Sequence, residues 1–352
     1  MRLQEMASPC EDMALPAIFC ASGDELGQGH FAVLRKATHA ATGLQVALKQ
    51  SRTSAVADPR LLHRLRQEAR VLMALSHANI VRCFGSIEAA GTLTTVLRCC
   101  PGESLAQCVA REGALDEAVC APLVLQVARA LRHCHERKIS HRDVKLENVM
   151  VDPARRVATL IDFGFALVQK TKGGRLEVHC GSDEYNAPEM LEMRSAAGKD
   201  AGKGYHGPAV DAWALGVLTY AALCAAFPFG AARSRILQGR YAKGALEATA
   251  SAAACSFVDG LLVVDPNSEM KLNRMSCAGA CKHAWLAPHA AAADALAAAA
   301  AGAEGEGEGE LARLESALAE SVREAREAAK QAAAPDAAAV VAQEAVRRPG
   351  SN

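Results

Sequence analysis

Apolar positions along the chain change period several times, and each change marks an element. From Gln45 to Lys49 they alternate, which puts Val46 and Leu48 on one face of a strand and Ala47 and Lys49 on the other. Asp58 then supplies a helix cap, and Pro59 suits the first helical position. Leu61, Leu65, Glu68 and Leu72 follow at spacings of four, three and four, so a helix over 59–75 carries them on one face. A strand is expected at 93–97. The longest amphipathic run, 116–138, repeats Val119, Leu123, Val127, Leu131 and Cys134 every three or four residues. The short apolar runs 149–151 and 159–161 read as strands bracketing a turn.

Residues 212–232 carry no charge, and that length just reaches a membrane span. Pro228 interrupts the run, Gly216 and Thr219 dilute it, and Asp211 and Arg233 flank it without a positive-inside bias. A fully buried core helix fits better, and no membrane span is expected. Glu68 poses a different problem, because a carboxylate buried unpaired in an apolar stripe costs several kcal/mol or protonates. A cationic partner is therefore expected, with Lys49 the candidate.

The chain of 352 residues has room for a two-lobed domain of roughly 260 residues plus tails. Its 39 basic and 39 acidic residues cancel, so no nucleic-acid or anionic-membrane partner is expected. Thirteen irregularly spaced cysteines read as reduced thiols of a cytoplasmic protein rather than a disulfide framework, with a nuclear location also open. Charges at Arg2, Glu5, Glu11 and Asp12 argue against an export signal. Cys99 and Cys100 lack a second Cys/His pair at metal-site spacing and read as part of the linker 98–102, which carries Pro101 and Gly102. His133 and His135 are two apart and share no helical face, which favours structural roles. Beyond Ala287 the composition shifts to Ala and Glu, with Gly-Glu repeats at 302–310. A helix is expected at 311–334, where Leu311, Leu314, Leu318 and Val322 form a narrow seam for a partner helix or for the body of the chain. By composition alone this tail reads as solvated and partly disordered.

The chemistry concentrates at His141-Arg-Asp-Val-Lys-Leu-Glu-Asn-Val-Met150. An aspartate base, a lysine two residues on and an asparagine five residues on are parts that a phosphoryl-transfer site needs. Asp162-Phe-Gly164 follows 19 residues after Asp143, enough for a hairpin that returns a second carboxylate. Asp162 and Asn148 offer the oxygen ligands a hard cation such as Mg²⁺ prefers. Upstream, Leu26-Gly-Gln-Gly-His-Phe-Ala-Val-Leu34 places Gly27 and Gly29 where backbone amides can approach phosphate oxygens.

With Ala187-Pro-Glu189 and Asp211-Ala-Trp213 following in order, the chain from about Phe19 to Leu286 resembles a eukaryotic protein kinase. The resemblance implies an α+β fold with a small, mainly antiparallel β N-lobe of five strands and a larger, mainly helical C-lobe. It implies an N-terminal extension over 1–18, an N-lobe over 19–97, a hinge at 98–102, a C-lobe over 103–287 and a low-complexity tail over 288–352. It implies transfer of the γ-phosphoryl group of ATP to protein serine or threonine. Gly27, Gln28, Gly29 and His30 would cover the phosphates, and Lys49, held by Glu68, would bind them. Leu26, Leu34, Ala47, Leu97 and Met150 would enclose the adenine. Asp143 would take the substrate proton, Lys145 would stabilise charge on the transferred group, and Asn148 and Asp162 would hold Mg²⁺. Lys145 resembles the serine/threonine class. Gly-His-Phe-Ala-Val and Tyr205-His-Gly-Pro-Ala-Val-Asp211 resemble the calmodulin-dependent and AMP-activated group, and Glu147 sits where members that prefer basic substrates place an acid.

Three departures stand out. The third glycine of the loop is Ala32. Val178 replaces the threonine that AMP-activated relatives phosphorylate, although Arg142, its usual partner, is present; activity without an upstream kinase is expected, with Glu177 as a fixed negative charge. Arg274 stands nine residues after Asp265 rather than the usual four, which implies about five inserted residues and leaves Glu189 as its expected partner. A second insertion, 193–203, is expected to loop out. Ala32 and Val178 also leave room for a pseudokinase that binds nucleotide without turnover. A kinase-fold enzyme acting on small molecules fits less well, because 187–189 and the preceding loop resemble a peptide platform.

Overall fold

The computed structural model describes residues 16–29, 32–152, 154, 156–169, 176, 180–195, 204–230, 232–264, 274–302 and 306–333. Its strands are β1 (Phe19–Gln28), β2 (Ala32–His39), β3 (Gln45–Arg52), β4 (Cys83–Ala89), β5 (Thr92–Arg98), β6 (Glu103–Ser104), β7 (Ile139–Ser140), β8 (Val149–Asp152), β9 (Val157–Leu160) and β10 (Leu167–Val168). Its helices are α1 (Pro59–Met73), α2 (Leu105–Glu112), α3 (Glu117–Glu136), α4 (Pro188–Ser195), α5 (Gly207–Cys224), α6 (Arg233–Gln238), α7 (Lys243–Thr249), α8 (Ala252–Leu261), α9 (Cys277–Ala280), α10 (Ala290–Gly302) and α11 (Glu306–Ala333). Two compact units result. The smaller comprises the described parts of 1–63, 83–99 and 310–352, and the larger those of 64–82 and 100–309.

The smaller unit is built on an antiparallel sheet of order β1-β2-β3-β5-β4. Ala37 pairs with Val46, Arg35 with Leu48, and Leu48 with Val96, so these residues share one face. Ala47 pairs with Leu97 and Leu34 with Lys49 on the other face. The first face is buried: Ala37, Val46, Leu48 and Val96 join Phe19, Phe84 and Ile87 in one cluster completed by Leu318 and Val322 of α11. Asp58 caps α1 as expected, its Oδ1 accepting from the Arg60 amide at 2.8 Å.

In the larger unit α3 and α5 form the centre, with α8 and α9 against them. Leu123, Val127, Leu131 and Cys134 of α3 are buried as their spacing predicts, while Val119 near its start is exposed. The charge-free run is partly helix: α5 begins at Gly207, with Pro208 in its first turn, and ends at Cys224 before a left-handed Ala225. Trp213, Leu215, Val217 and Leu218 are fully buried, so this helix, the one among the described residues long and apolar enough to cross a membrane, packs as a core helix. The chain of 77–81 is bound to β9 by Val81 N to Leu160 O at 3.0 Å and Leu160 N to Asn79 O at 2.8 Å.

Two expectations need correcting. The insertion expected to loop out from Met193 starts inside α4, which continues to Ser195; 196–203 lie outside the described residues. The tail helix starts at Glu306 rather than 311, through the Gly-Glu repeat. Leu311 is also exposed rather than part of the seam.

Candidate active site

Elements of the larger unit fix the catalytic loop through one buried carboxylate. Asp211 on α5 accepts from the His141 amide (Oδ2, 2.9 Å), the Arg142 amide (Oδ1, 2.7 Å) and the His135 ring (Nε2, 2.8 Å). Burial pushes this carboxyl up, but His135 and the backbone donors outweigh it and hold it below its usual range. The anchoring is needed because Arg142 has φ of +66°, a left-handed backbone that a non-glycine residue adopts at a cost of about 1–2 kcal/mol. His141 ties the loop to the strand beyond it: Nδ1 faces the Asp143 amide at 3.3 Å and Nε2 the Ile161 carbonyl at 3.1 Å. Phe163 meets the same ring edge-on at 4.6 Å.

Around Asp143 the expected residues converge. Asn148 Nδ2 donates to the Asp143 carbonyl at 2.8 Å and to Oδ2 at 2.9 Å. Lys145 Nζ lies 3.0 Å from the same Oδ2 and 3.1 Å from Ser182 Oγ. Gly181 passes close by with φ of +83°: a Cβ there would lie 2.8 Å from the Arg142 carbonyl, and in ordinary contact with Asp143 Oδ1 at 3.6 Å. The larger unit also holds Glu68, which is buried at 6 % exposure. Its Oε2 and Asp162 Oδ1 both border Gly164, lying 3.6 and 3.2 Å from where a Cβ would be. Asp162 itself is left-handed, with φ of +57°.

Asn148 turns its amide nitrogen to Asp143, which leaves Oδ1 for a cation, and Asp162 adds a carboxylate. Two oxygen donors fit Mg²⁺ completed by phosphate and water. Among the described residues no group of three or more His, Cys, Asp or Glu forms a metal cluster, and His135 and His133 have other partners: Asp211 for the first and the His77 ring, at 5.0 Å, for the second.

The smaller unit carries the remaining expected residues. Gly27 pairs with Leu34 in the sheet, Lys49 with both Leu34 and Thr95, and Ala47 with Leu97, so Leu34, Ala47, Lys49 and Leu97 face one way. Leu26 and Gln28 lie on β1, and Gly29 closes the turn by donating to the Ala32 carbonyl at 2.7 Å; His30 lies outside the described residues. Met150 is on β8 of the larger unit, paired with Ser104 and Thr159.

Two residues escaped the reading of the sequence. Ser182 follows a recognisable Cys-Gly pair, but only folding shows its hydroxyl on Lys145. Tyr205 is the other: its hydroxyl accepts from Arg142 Nη1 at 2.8 Å, while Arg142 Nε donates to the Phe165 carbonyl at 2.8 Å. Burial pushes the Tyr205 phenol up, so it remains neutral. Leu176 and Tyr205 exchange both backbone hydrogen bonds at 2.9 Å, which fixes the tyrosine. Glu177 and Val178 lie outside the described residues.

Arg274 meets Glu189 as expected, in a two-pronged pair at 2.7 and 3.1 Å, and also donates to the carbonyls of Val263 and Ala209. The inferred insertion before it, with Asp265 and Pro266, lies outside the described residues.

A buried aspartate with a lysine and an asparagine on its carboxylate in the larger unit, and a five-stranded antiparallel sheet in the smaller one, are the two halves of a protein-kinase fold. The family comparison agrees: the protein kinase domain model matches residues 20–286, and the chain belongs to that family. It is 30 % identical over 266 residues to serine/threonine-protein kinase SIK2 of Gallus gallus, a match covering 74 % of this chain and 31 % of the relative. Among solved structures, Rad53 1–466 in complex with AMP-PNP is similar at a TM-score of 0.61 and 29 % identity, over 76 % of this chain and 65 % of that one. The chain thus spans about a third of the curated relative.

Proposed function

We propose that this protein transfers the γ-phosphoryl group of ATP to serine or threonine hydroxyls of protein substrates, with a kinase domain over 19–287. The observation that carries the reading is Lys145 Nζ, within 3.0 Å of Asp143 Oδ2 and 3.1 Å of Ser182 Oγ. Lys145 and Asn148 occupy Oδ2 and orient the carboxylate, so Oδ1 accepts the proton of the substrate hydroxyl. Lys145 is then placed to neutralise charge on the transferred group, and Ser182 holds its ammonium in position. Lys49, with Gly27 and Gly29, takes the nucleotide phosphates. Bound Mg²⁺ would neutralise phosphate charge, with Asn148 and Asp162 as its protein ligands. Glu147 is exposed beside this site, which supports a basic residue near the target hydroxyl.

Activity without an upstream kinase belongs to the same proposal, supported by the Tyr205 hydroxyl on Arg142 where relatives use a phosphate. Cysteine usage supports a cytoplasmic location. The tail is proposed to contact its own chain rather than a partner helix.

The test is Mg²⁺-dependent transfer from ATP to a basic serine peptide by protein purified from bacteria, against Asp143→Asn. The variant should bind ATP and lose roughly 10²–10⁴ of the rate. Equal rates would remove Asp143 from the chemistry. ATP binding with no transfer by the wild type would leave a nucleotide-binding pseudokinase.

A further inference from the structure

The family match ends at residue 286, yet the smaller unit draws part of its core from beyond that point. Along α11, Leu314, Leu318, Val322, Ala325 and Ala329 recur at spacings of four, four, three and four, which places them on one helical face. Leu318 is 0 % and Val322 1 % exposed, in the cluster of Phe19, Ala37, Val46, Leu48, Phe84, Ile87 and Val96, and Ala325 and Ala329 pack against it half-buried. The outward positions Arg323, Glu324, Glu327 and Lys330 are exposed and charged.

The sheet is shaped for this helix at one point in particular. Gly85 pairs with Val96 and so looks to the helix side, with φ of +145° and a break in register beside it. A Cβ there would lie 2.7 Å from Val322 Cγ1, so the missing side chain is what admits Val322. At the rim Glu315 forms an ion pair with Arg98, which pairs with Val46 and belongs to the same face.

We propose that this sheet face is a docking surface for an amphipathic helix with small apolar side chains, and that its occupant is α11 of the same chain. Docked there, the helix completes the smaller unit and braces β2 and β3, the strands that present Leu34, Ala47 and Lys49 on their opposite face. The bracing of nucleotide-binding strands rests on the kinase reading, whereas the docking does not. Charge complementarity at Glu315 and Arg98 and the fit of Val322 over Gly85 select this segment over an unrelated helix.

Hydrogen exchange on the full chain tests the docking without reference to activity. Val322→Asp should raise backbone exchange about tenfold or more in 32–52, 83–98 and 311–333 while leaving α5 protected. Glu324→Lys, on the exposed face, should change nothing. Should Val322→Asp unfold the whole chain, Val322→Ala is the milder variant, and its increase must be confined to the same three segments. Unchanged exchange there in a folded Val322→Asp or Val322→Ala protein overturns the proposal. A wild type that is dimeric by light scattering, and whose sheet protection falls on dilution, would assign the helix to a second copy and overturn the docking in cis. For the bracing, Val322→Ala should raise the KM for ATP several-fold with kcat little changed. If exchange rises but KM does not, docking stands and bracing falls.

Discussion

The catalytic loop and the sheet under α11 are both well buried, but they are held by opposite means. Around the loop, specificity comes from a few charged and polar groups that each meet several partners: Asp211 takes three donors, and Arg142 is bound by a phenol and a carbonyl. Under α11 the contact is apolar, with one ion pair at its rim. Polar groups in low dielectric are costly when a partner is lost, so the first region should fail abruptly. An apolar contact loses stability in proportion to the area removed, so the second should yield by degrees. The polar region fixes the positions of individual donors and acceptors. The apolar region fixes only a shape.

The largest break in this contrast is expected at Arg274. Its side chain is 1 % exposed, binds Glu189 and two carbonyls, and lies over the Trp213 ring at 4.9 Å. Arg274→Ala strands the Glu189 carboxylate and the two carbonyls together, costing about 3 kcal/mol or more. The melting temperature of the larger unit should fall by roughly 6–12 °C on that basis. A fully soluble variant with an unchanged melting curve would show that the pair contributes nothing net.

The two regions also differed in how far the sequence revealed them. The convergence of Lys145 and Asn148 on Asp143 was legible because the motif restricts residue type and spacing, and both constraints survive in one dimension. The pairing of Arg274 with Glu189, 85 positions apart, was legible only through the resemblance to kinases, and the fold supplies its physical ground, since a buried guanidinium needs a carboxylate. The tail gave less. Its stripe at Leu311, Leu314, Leu318 and Val322 offered a face that something could cover, but apolar periodicity carries no address. Alanine and glutamate made solvent the better guess. Gly85 is the missing half of that address, and a lone glycine in a strand has many readings. Ser182 and Tyr205 escaped for a related reason, since hydroxyls are common and only folding shows which one meets a charge.

Tyr205 sharpens the contrast by testing whether one neutral hydroxyl can hold the catalytic loop. Tyr205→Phe keeps the ring and removes the acceptor from Arg142, so kcat should fall about tenfold, equivalent to 1.4 kcal/mol, with the KM for ATP unchanged. Because the hydroxyl acts through Arg142, adding Tyr205→Phe to Arg142→Ala should produce no further loss. Independent, additive losses would mean that the tyrosine acts by packing alone.

The smallest effect separates the regions by pH. His77 receives the Asn79 amide on Nδ1 at 3.0 Å and meets the His133 ring, tilted by 50°, at 5.0 Å. Burial first, and then His133, Arg132, Arg129 and Arg137, hold its pKa down to about 4. The unfolded chain takes up this proton near 6.5, so between the two values it binds more protons than the native state, and stability falls as the pH is lowered. The partly solvated ring is screened, which reduces the contribution to about 1 kcal/mol, present above pH 6.5 and lost progressively towards pH 4. Urea titrations across that window should show a shallower loss for His77→Gln than for the wild type, and matching slopes would exclude His77 as the source. The sheet under α11 has titrating groups of its own, Glu315 at its rim and His39, whose ring meets Phe19 at 5.7 Å and whose pKa burial lowers, so its hydrogen exchange should respond to pH equally in the wild type and in His77→Gln.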